Sequence, residues 1–148
     1  MTVRKEKSMK IILGVDYGDV RTGLAVSDRL GLLAAGAGCI KCESFKGAVA
    51  AVAEAAKKHK ADLIVVGNPI NMNGTEGPRS EKCRAFADAL REAASLPVEL
   101  FDERLTTVSA HKFLSETNVR GKKRKAAVDE LSATIILQDY LDRKRNES

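Results

Sequence analysis

Apolar runs of two kinds specify an α/β domain: a mixed five-stranded sheet, three antiparallel strands followed by parallel ones, with helices on both faces. The first third of the chain holds three short apolar runs joined by tight links, which is the mark of antiparallel hairpins. Residues 63–67, Leu-Ile-Val-Val-Gly, are apolar without a break, as in a strand covered on both faces. After that, helix-like and strand-like periodicities alternate, which predicts parallel strands linked by crossover helices. At 148 residues the chain fits one domain with a substantial core.

Residues 11–15 read as the first strand and 23–27 as the second, and the short link between them predicts a hairpin. A third short strand is expected at 38–42. Ser44 is placed to cap a helix whose apolar positions Phe45, Val49, Val52, Ala53 and Ala56 keep helical spacing to about residue 60. The fourth strand follows at 63–67. The loop over 68–78 is long for a compact domain, and loops of that length are often functional. Ser80 is expected to start a helix to about residue 94, burying Cys83, Phe86, Ala87, Leu90 and Ala94; Pro97 blocks its continuation before a strand at 98–101. Thr106 or Thr107 can cap a short helix carrying Val108, Phe113 and Leu114. A basic loop follows, and then a last helix opening at Asp129 with the stripe Val128, Leu131, Ile135, Ile136 and Leu141. Met9 stands just before the first strand, so residues 1–8 read as a disordered extension, 9–143 as a single domain and 144–148 as a basic tail.

Three acids lie where a carboxylate is awkward for folding and useful for chemistry. Asp16 ends the first apolar run, Glu103 closes the run that begins at Val98, and Asp129 opens the last helix. Carboxylates at strand ends and at a helix start suit a divalent-cation site if the fold brings them together. Asp102 is the neighbour with which Glu103 is most easily confused. Strand alternation sends the two to opposite faces, and Glu103 is the favoured one. Between Thr117 and Asp129 there is no acid, while Arg120, Lys122, Lys123, Arg124 and Lys125 are all basic. Such a stretch beside an acidic site suits phosphate contacts, which position a nucleic-acid strand without reading its sequence. Arg21 and Arg104, next to the acids, suit the scissile phosphate or a salt bridge. Asn71 and Asn73 suit nucleic-acid contact or simple turn formation.

Composition narrows the class further. Hydrophobic residues make up 44% with no Trp, so packing rests on aliphatic side chains; the net charge of +5 favours an anionic partner only moderately. No apolar run approaches the ~20 residues needed to span a bilayer, and the basic start leads into too short a run for a signal peptide. The cytoplasm is the expected location. Three cysteines, Cys39, Cys42 and Cys83, are an odd number and argue against a disulfide framework. The lone CxxC of Cys39 and Cys42 has no second pair to complete a zinc site.

Gly14-Val15-Asp16-Tyr17-Gly18, followed by Arg21-Thr22-Gly23-Leu24-Ala25-Val26-Ser27-Asp28, resembles the opening motif of the YqgF-type family within the ribonuclease H-like superfamily. Val66-Gly67 through Asn73-Gly74-Thr75 resembles its strand-and-loop motif. Asp102-Glu103-Arg104-Leu105-Thr106-Thr107 resembles its most specific signature. Val128-Asp129 with Ala133, Ile135-Ile136-Leu137 and Gln138-Asp139-Tyr140-Leu141 resembles its closing helix. One departure is visible: Asn68 stands where the family usually has Leu before Pro69, which is expected to alter the loop.

The resemblance implies a ribonuclease H-like fold with the Asp16 strand central and Asp16, Glu103 and Asp129 converging as catalytic ligands of Mg²⁺ or Mn²⁺. It also implies a nuclease, since members are described as pre-16S rRNA nucleases maturing the 5′ end of the small-subunit RNA and resemble Holliday junction resolvases in fold. On this reading Asp16 bridges two ions and Glu103 and Asp129 each anchor one side. The expected partners are precursor ribosomal RNA or branched DNA and ribosomal particles, with the chain a monomer or homodimer. Two other classes compete. A non-cleaving RNA-binding module of ribosome maturation or transcription predicts binding that survives loss of Asp16. A phosphotransferase of the actin-like group generally needs two such domains.

Overall fold

The computed structural model describes residues 10–70, 73–103 and 122–147. The strands are β1 (Ile12–Asp16), β2 (Arg21–Ser27), β3 (Ala34–Lys41), β4 (Leu63–Asn68) and β5 (Val98–Asp102), and the described helices are α1 (Phe45–Lys58), α2 (Pro78–Ala94) and α3 (Lys122–Glu147). The sheet order is β3-β2-β1-β4-β5. β1 is antiparallel to β2 and parallel to β4, β2 is antiparallel to β3, and β4 is parallel to β5. This is the mixed five-stranded sheet expected from the sequence. The short helix expected near Thr106 and the extension at 1–8 lie outside the described residues.

Strand alternation divides the core in two. Leu13, Val15, Leu24, Ile64, Val66 and Val98 face the layer of α1 and α2, where Val52, Phe86 and Leu90 complete the packing. Ile12, Ala25, Leu63, Val65 and Phe101 face the other layer, closed by Ala133, Ile136, Leu137 and Tyr140 of α3. Helix α1 starts where Ser44 caps it, its hydroxyl accepting from the Gly47 N–H at 2.9 Å. Helix α2 starts at Pro78, two residues earlier than expected. Proline at the first helical position has its φ already set, and Ser80 is turned inward instead, its hydroxyl donating to Asn68 Oδ1 at 2.6 Å. Asn68 is therefore a buried residue of β4 tied to α2, rather than part of the loop. Helix α2 ends before Pro97 is reached, with Ser95 left-handed at φ 54°.

Two elements differ more from expectation. Strand β3 begins at Ala34, four residues before the expected start, because its Ala- and Gly-rich half has little strand propensity of its own. Contacts with α3 hold it there: Glu130 Oε2 accepts from the Gly38 N–H at 2.6 Å, and Gln138 accepts from the Ala34 N–H and donates to the Leu32 carbonyl, each at 2.9 Å. Helix α3 runs from Lys122, so Lys122, Lys123, Arg124 and Lys125 lie in a helix rather than a loop, and Asp129 lies two turns inside. Lys, Arg and Ala are strong helix formers, and their charge obscured that. At its other end α3 continues through Lys144 and Arg145, expected as part of a tail. Its buried stripe includes Ile136 and Leu141 as expected, adds Ser132 and Ala133, and leaves Leu131 exposed.

The reason is how closely α3 sits on the sheet. A Cβ on Gly23 would lie 1.9 Å from the Asp129 carbonyl oxygen, and one on Gly14 would lie 2.7 Å from Leu137 Cβ. Small residues are needed on both sides of such a contact. Gly23→Ala is expected to lower the unfolding free energy by about 3 kcal/mol, because backbone has to move. Gly67→Ala should cost clearly less, since its new methyl would meet the flexible ends of Ile136 and Glu103. Urea denaturation of the two variants checks the order; equal losses would contradict a backbone contact at Gly23.

Candidate active site

Asp16 is the last residue of β1, directly opposite Gly23 of β2. On its other side β4 runs parallel with Val15 opposite Val66, which puts Gly67 beside Asp16. Two glycines thus flank the aspartate across three strands. Each leaves room for another acid on the α3 side of the sheet. The Asp129 main chain lies against Gly23, and the Glu103 carboxylate lies over Gly67, where a Cβ would be 3.0 Å from Glu103 Oε2. Asp16 and Glu103 are only 5% and 6% exposed, so both carboxylates are largely withdrawn from water. Asp129 is half-buried.

Asp102 points the other way. It is opposite Asn68, whose side chain reaches α2. Phe101 and Glu103 alternate with it, and Phe101 packs in the α3 layer. Asp16, Glu103 and Asp129 each take part in a further polar or electrostatic contact. Among the described residues no group of three or more His, Cys, Asp or Glu side chains stands close enough to hold a metal ion. The three acids therefore share one face and one end of the sheet without forming a closed ligand cluster.

Cys39 of β3, opposite Gly23 on the far side from Asp16, samples the field of this region. Burial pushes its thiol up, and the charge of Asp129 adds most to that, ahead of the smaller effects of Glu130 and Asp16; Arg21 opposes them. Arg21, at the start of β2 and half-buried, thus brings positive charge to the same corner. Lys122, Lys123, Arg124 and Lys125 form the first turn of α3. Asn73 is a turn former: its Oδ1 accepts from the Thr75 N–H at 3.1 Å and the Thr75 hydroxyl at 2.7 Å. Asn71, Arg104 and Arg120 lie outside the described residues.

Sequence reasoning missed two features. Gly23 and Gly67 shape the site by what they lack, and a glycine inside a strand pattern is a signal of close approach. Arg79 and Lys82 of α2 reach the β1–β2 hairpin tip at Asp19, and nothing in their spacing announced it.

A mixed sheet with acids at the ends of its first and last strands, and a third acid on a helix across its face, defines a nuclease domain of the ribonuclease H-like fold. The solved structure of Thermus thermophilus RuvC in complex with a Holliday junction substrate has this fold, with a TM-score of 0.58 and 16% identity over 92% of this chain and 96% of that one. The chain belongs to the RuvX family, described as Holliday junction resolvase, whose model matches residues 10–143. Among its curated relatives, a protein of Ruminiclostridium cellulolyticum named "Putative pre-16S rRNA nuclease" is 46% identical over 133 residues, 89% of this chain and 94% of its own length. A Bacillus cereus protein of the same name is 45% identical over 135 residues, 90% of this chain and 98% of its own length.

The charge around Cys39 has a measurable consequence. Removing the Asp129 charge favours the thiolate, so Asp129→Asn should speed alkylation of Cys39 by iodoacetamide at pH 8, read by mass spectrometry of the tryptic peptide. An unchanged rate would place the Asp129 carboxylate away from this corner.

Proposed function

We propose that the chain is a metal-dependent nuclease that hydrolyses phosphodiester bonds of structured nucleic acid, acting on pre-16S rRNA at its 5′ end. The observation that carries this reading is the row Gly23, Asp16, Gly67, with Asp129 and Glu103 packed against its two ends on one face. Three carboxylates give a hard, all-oxygen donor set of the kind Mg²⁺ or Mn²⁺ takes, and water and substrate oxygens complete such a set. Asp16, Glu103 and Asp129 would hold the metal, which supplies an activated water and neutralises charge on the leaving oxygen. Like charges in a buried row resist closing on each other, which agrees with carboxylates that are gathered but not clustered.

The protein's own part is positioning. Asp16 is central and stands between the other two acids, so it would hold the metal together with Glu103 and Asp129. Lys122, Lys123, Arg124 and Lys125 open α3, the helix that carries Asp129, and Arg21 stands at the start of β2; such basic residues would hold phosphates in place. The setting that follows is the cytoplasm, with precursor ribosomal particles as partner. Branched DNA is the second substrate class, favoured by the family's description and by the fold shared with RuvC. The relatives' names favour ribosomal RNA.

The test uses precursor 16S RNA fragments and a four-way DNA junction with Mg²⁺, Mn²⁺ or chelator. Wild type is expected to cut the RNA only when metal is present. Asp16→Asn should lose at least about a hundredfold in rate while keeping its unfolding transition. A folded Asp16→Asn that cleaves like wild type would sink the assignment of Asp16.

A further inference from the structure

Arg79 and Lys82, one turn apart on α2, converge on a single atom. Arg79 Nη1 donates to Asp19 Oδ1 at 3.0 Å, and Lys82 Nζ donates to the same oxygen at 3.3 Å. Arg79 is held firmly for this. Its Nη2 donates to the Tyr17 carbonyl, and its guanidinium lies over the Tyr17 ring, 5.3 Å from the centroid. That ring is buried and stacked on Phe86 at 4.1 Å. The carboxylate being gripped is in the opposite state, at the hairpin tip with 62% of its side chain exposed. The hydrogen bond from Lys82, followed by the charge of Arg79, keeps the Asp19 carboxyl below the usual carboxylate range.

An exposed ion pair stabilises a fold very little. A preorganised guanidinium and an ammonium aimed at one solvent-facing anion, three residues past Asp16, make a better binding device than a brace. We propose that Arg79 and Lys82 form a subsite for a backbone phosphate at the tip of the β1–β2 hairpin, and that Asp19 fills it until a substrate phosphate takes its place. The inference rests on nucleic acid being the substrate.

A phosphate diester presents the same kind of anionic oxygen as a carboxylate, and the planar Arg fork suits either. Displaced, Asp19 stays in water, so its release leaves no buried charge behind. Asp19 also raises the threshold for capture. A lone anion must compete with a tethered carboxylate, whereas a strand already held along the basic turn of α3 competes with the help of its other contacts.

Binding measurements test this without relying on cleavage. Full-length wild type, Asp19→Asn, Asp19→Ser, Lys82→Gln, the Asp19→Asn/Lys82→Gln double variant and Glu81→Gln are titrated by fluorescence anisotropy against a labelled single-stranded RNA and a labelled four-way DNA junction, in chelator and at several salt concentrations. Asp19→Asn should bind about fivefold tighter, while Lys82→Gln binds more weakly with a salt slope shallower by about one. With Lys82 already replaced, the Asp19→Asn gain should shrink below about twofold. Asp19→Ser must reproduce the gain. Glu81→Gln, which removes an exposed acid from the same helical turn, should give a clearly smaller gain. An unchanged affinity for Asp19→Asn, an equal gain with and without Lys82, or an equal gain from Glu81→Gln would each overturn the subsite and leave the nuclease reading standing. The predicted coupling without metal-dependent cleavage would do the reverse. Failure of every variant to bind either probe would overturn both.

Discussion

The contact between the α3 backbone and Gly23 is the constraint on which the rest depends. A helix normally keeps its distance from a sheet because side chains stand between them. Here the Asp129 carbonyl oxygen occupies the space a Cβ would need, and Gly14 and Gly36 make room for the Leu137 and Glu130 side chains of α3. That closeness fixes where Asp129 stands relative to Asp16, since Gly23 and Asp16 are direct partners in the β1–β2 ladder. It also explains why small residues, Ser132 and Ala133, are buried where larger ones were expected. The helix-facing core is thin where α3 meets Gly23, and thicker where Phe101 meets Tyr140 edge-on at 5.9 Å.

Placing acids in such a setting works against folding. Each carboxylate loses water, and each lies near others of its own sign. The protein manages this by spreading the three over separate elements and giving each a polar or electrostatic contact. The opposite layer bears the cost of holding them in place. Tyr17 follows Asp16 directly, and its ring is sandwiched among Phe86, Phe45 and the Arg79 guanidinium, so the end of β1 is anchored from the face away from the site. Asn68 and Ser80 do the same for the end of β4.

Much of this was legible in the sequence where the signal was local. The unbroken run at 63–67, the Ser44 cap and the spacing of Cys83, Phe86, Ala87 and Leu90 each carry their own periodicity, and those elements lie within two residues of expectation. Alternation alone separated Glu103 from Asp102. What escaped is what depends on partners distant in sequence. The Ala- and Gly-rich start of β3 is a strand because β2 pairs with it and α3 bonds its backbone. The basic run at 122–125 looked like a loop because charge was weighed above helix propensity. Asp129 stood out by following the basic run ahead of an apolar stripe, but its place two turns inside the helix, with its backbone against Gly23, could come only from the fold.

The single unbroken course of α3 acts as a ruler. Seven residues separate Lys122 from Asp129, and at the rise of an α-helix that is about 10 Å along a stiff rod. The backbone at the head of the rod therefore stands at a set offset from Asp129. The same rod reaches on to the Gln138 clamp on β3, so bending it at its N-terminal end would strain the outer strand of the sheet.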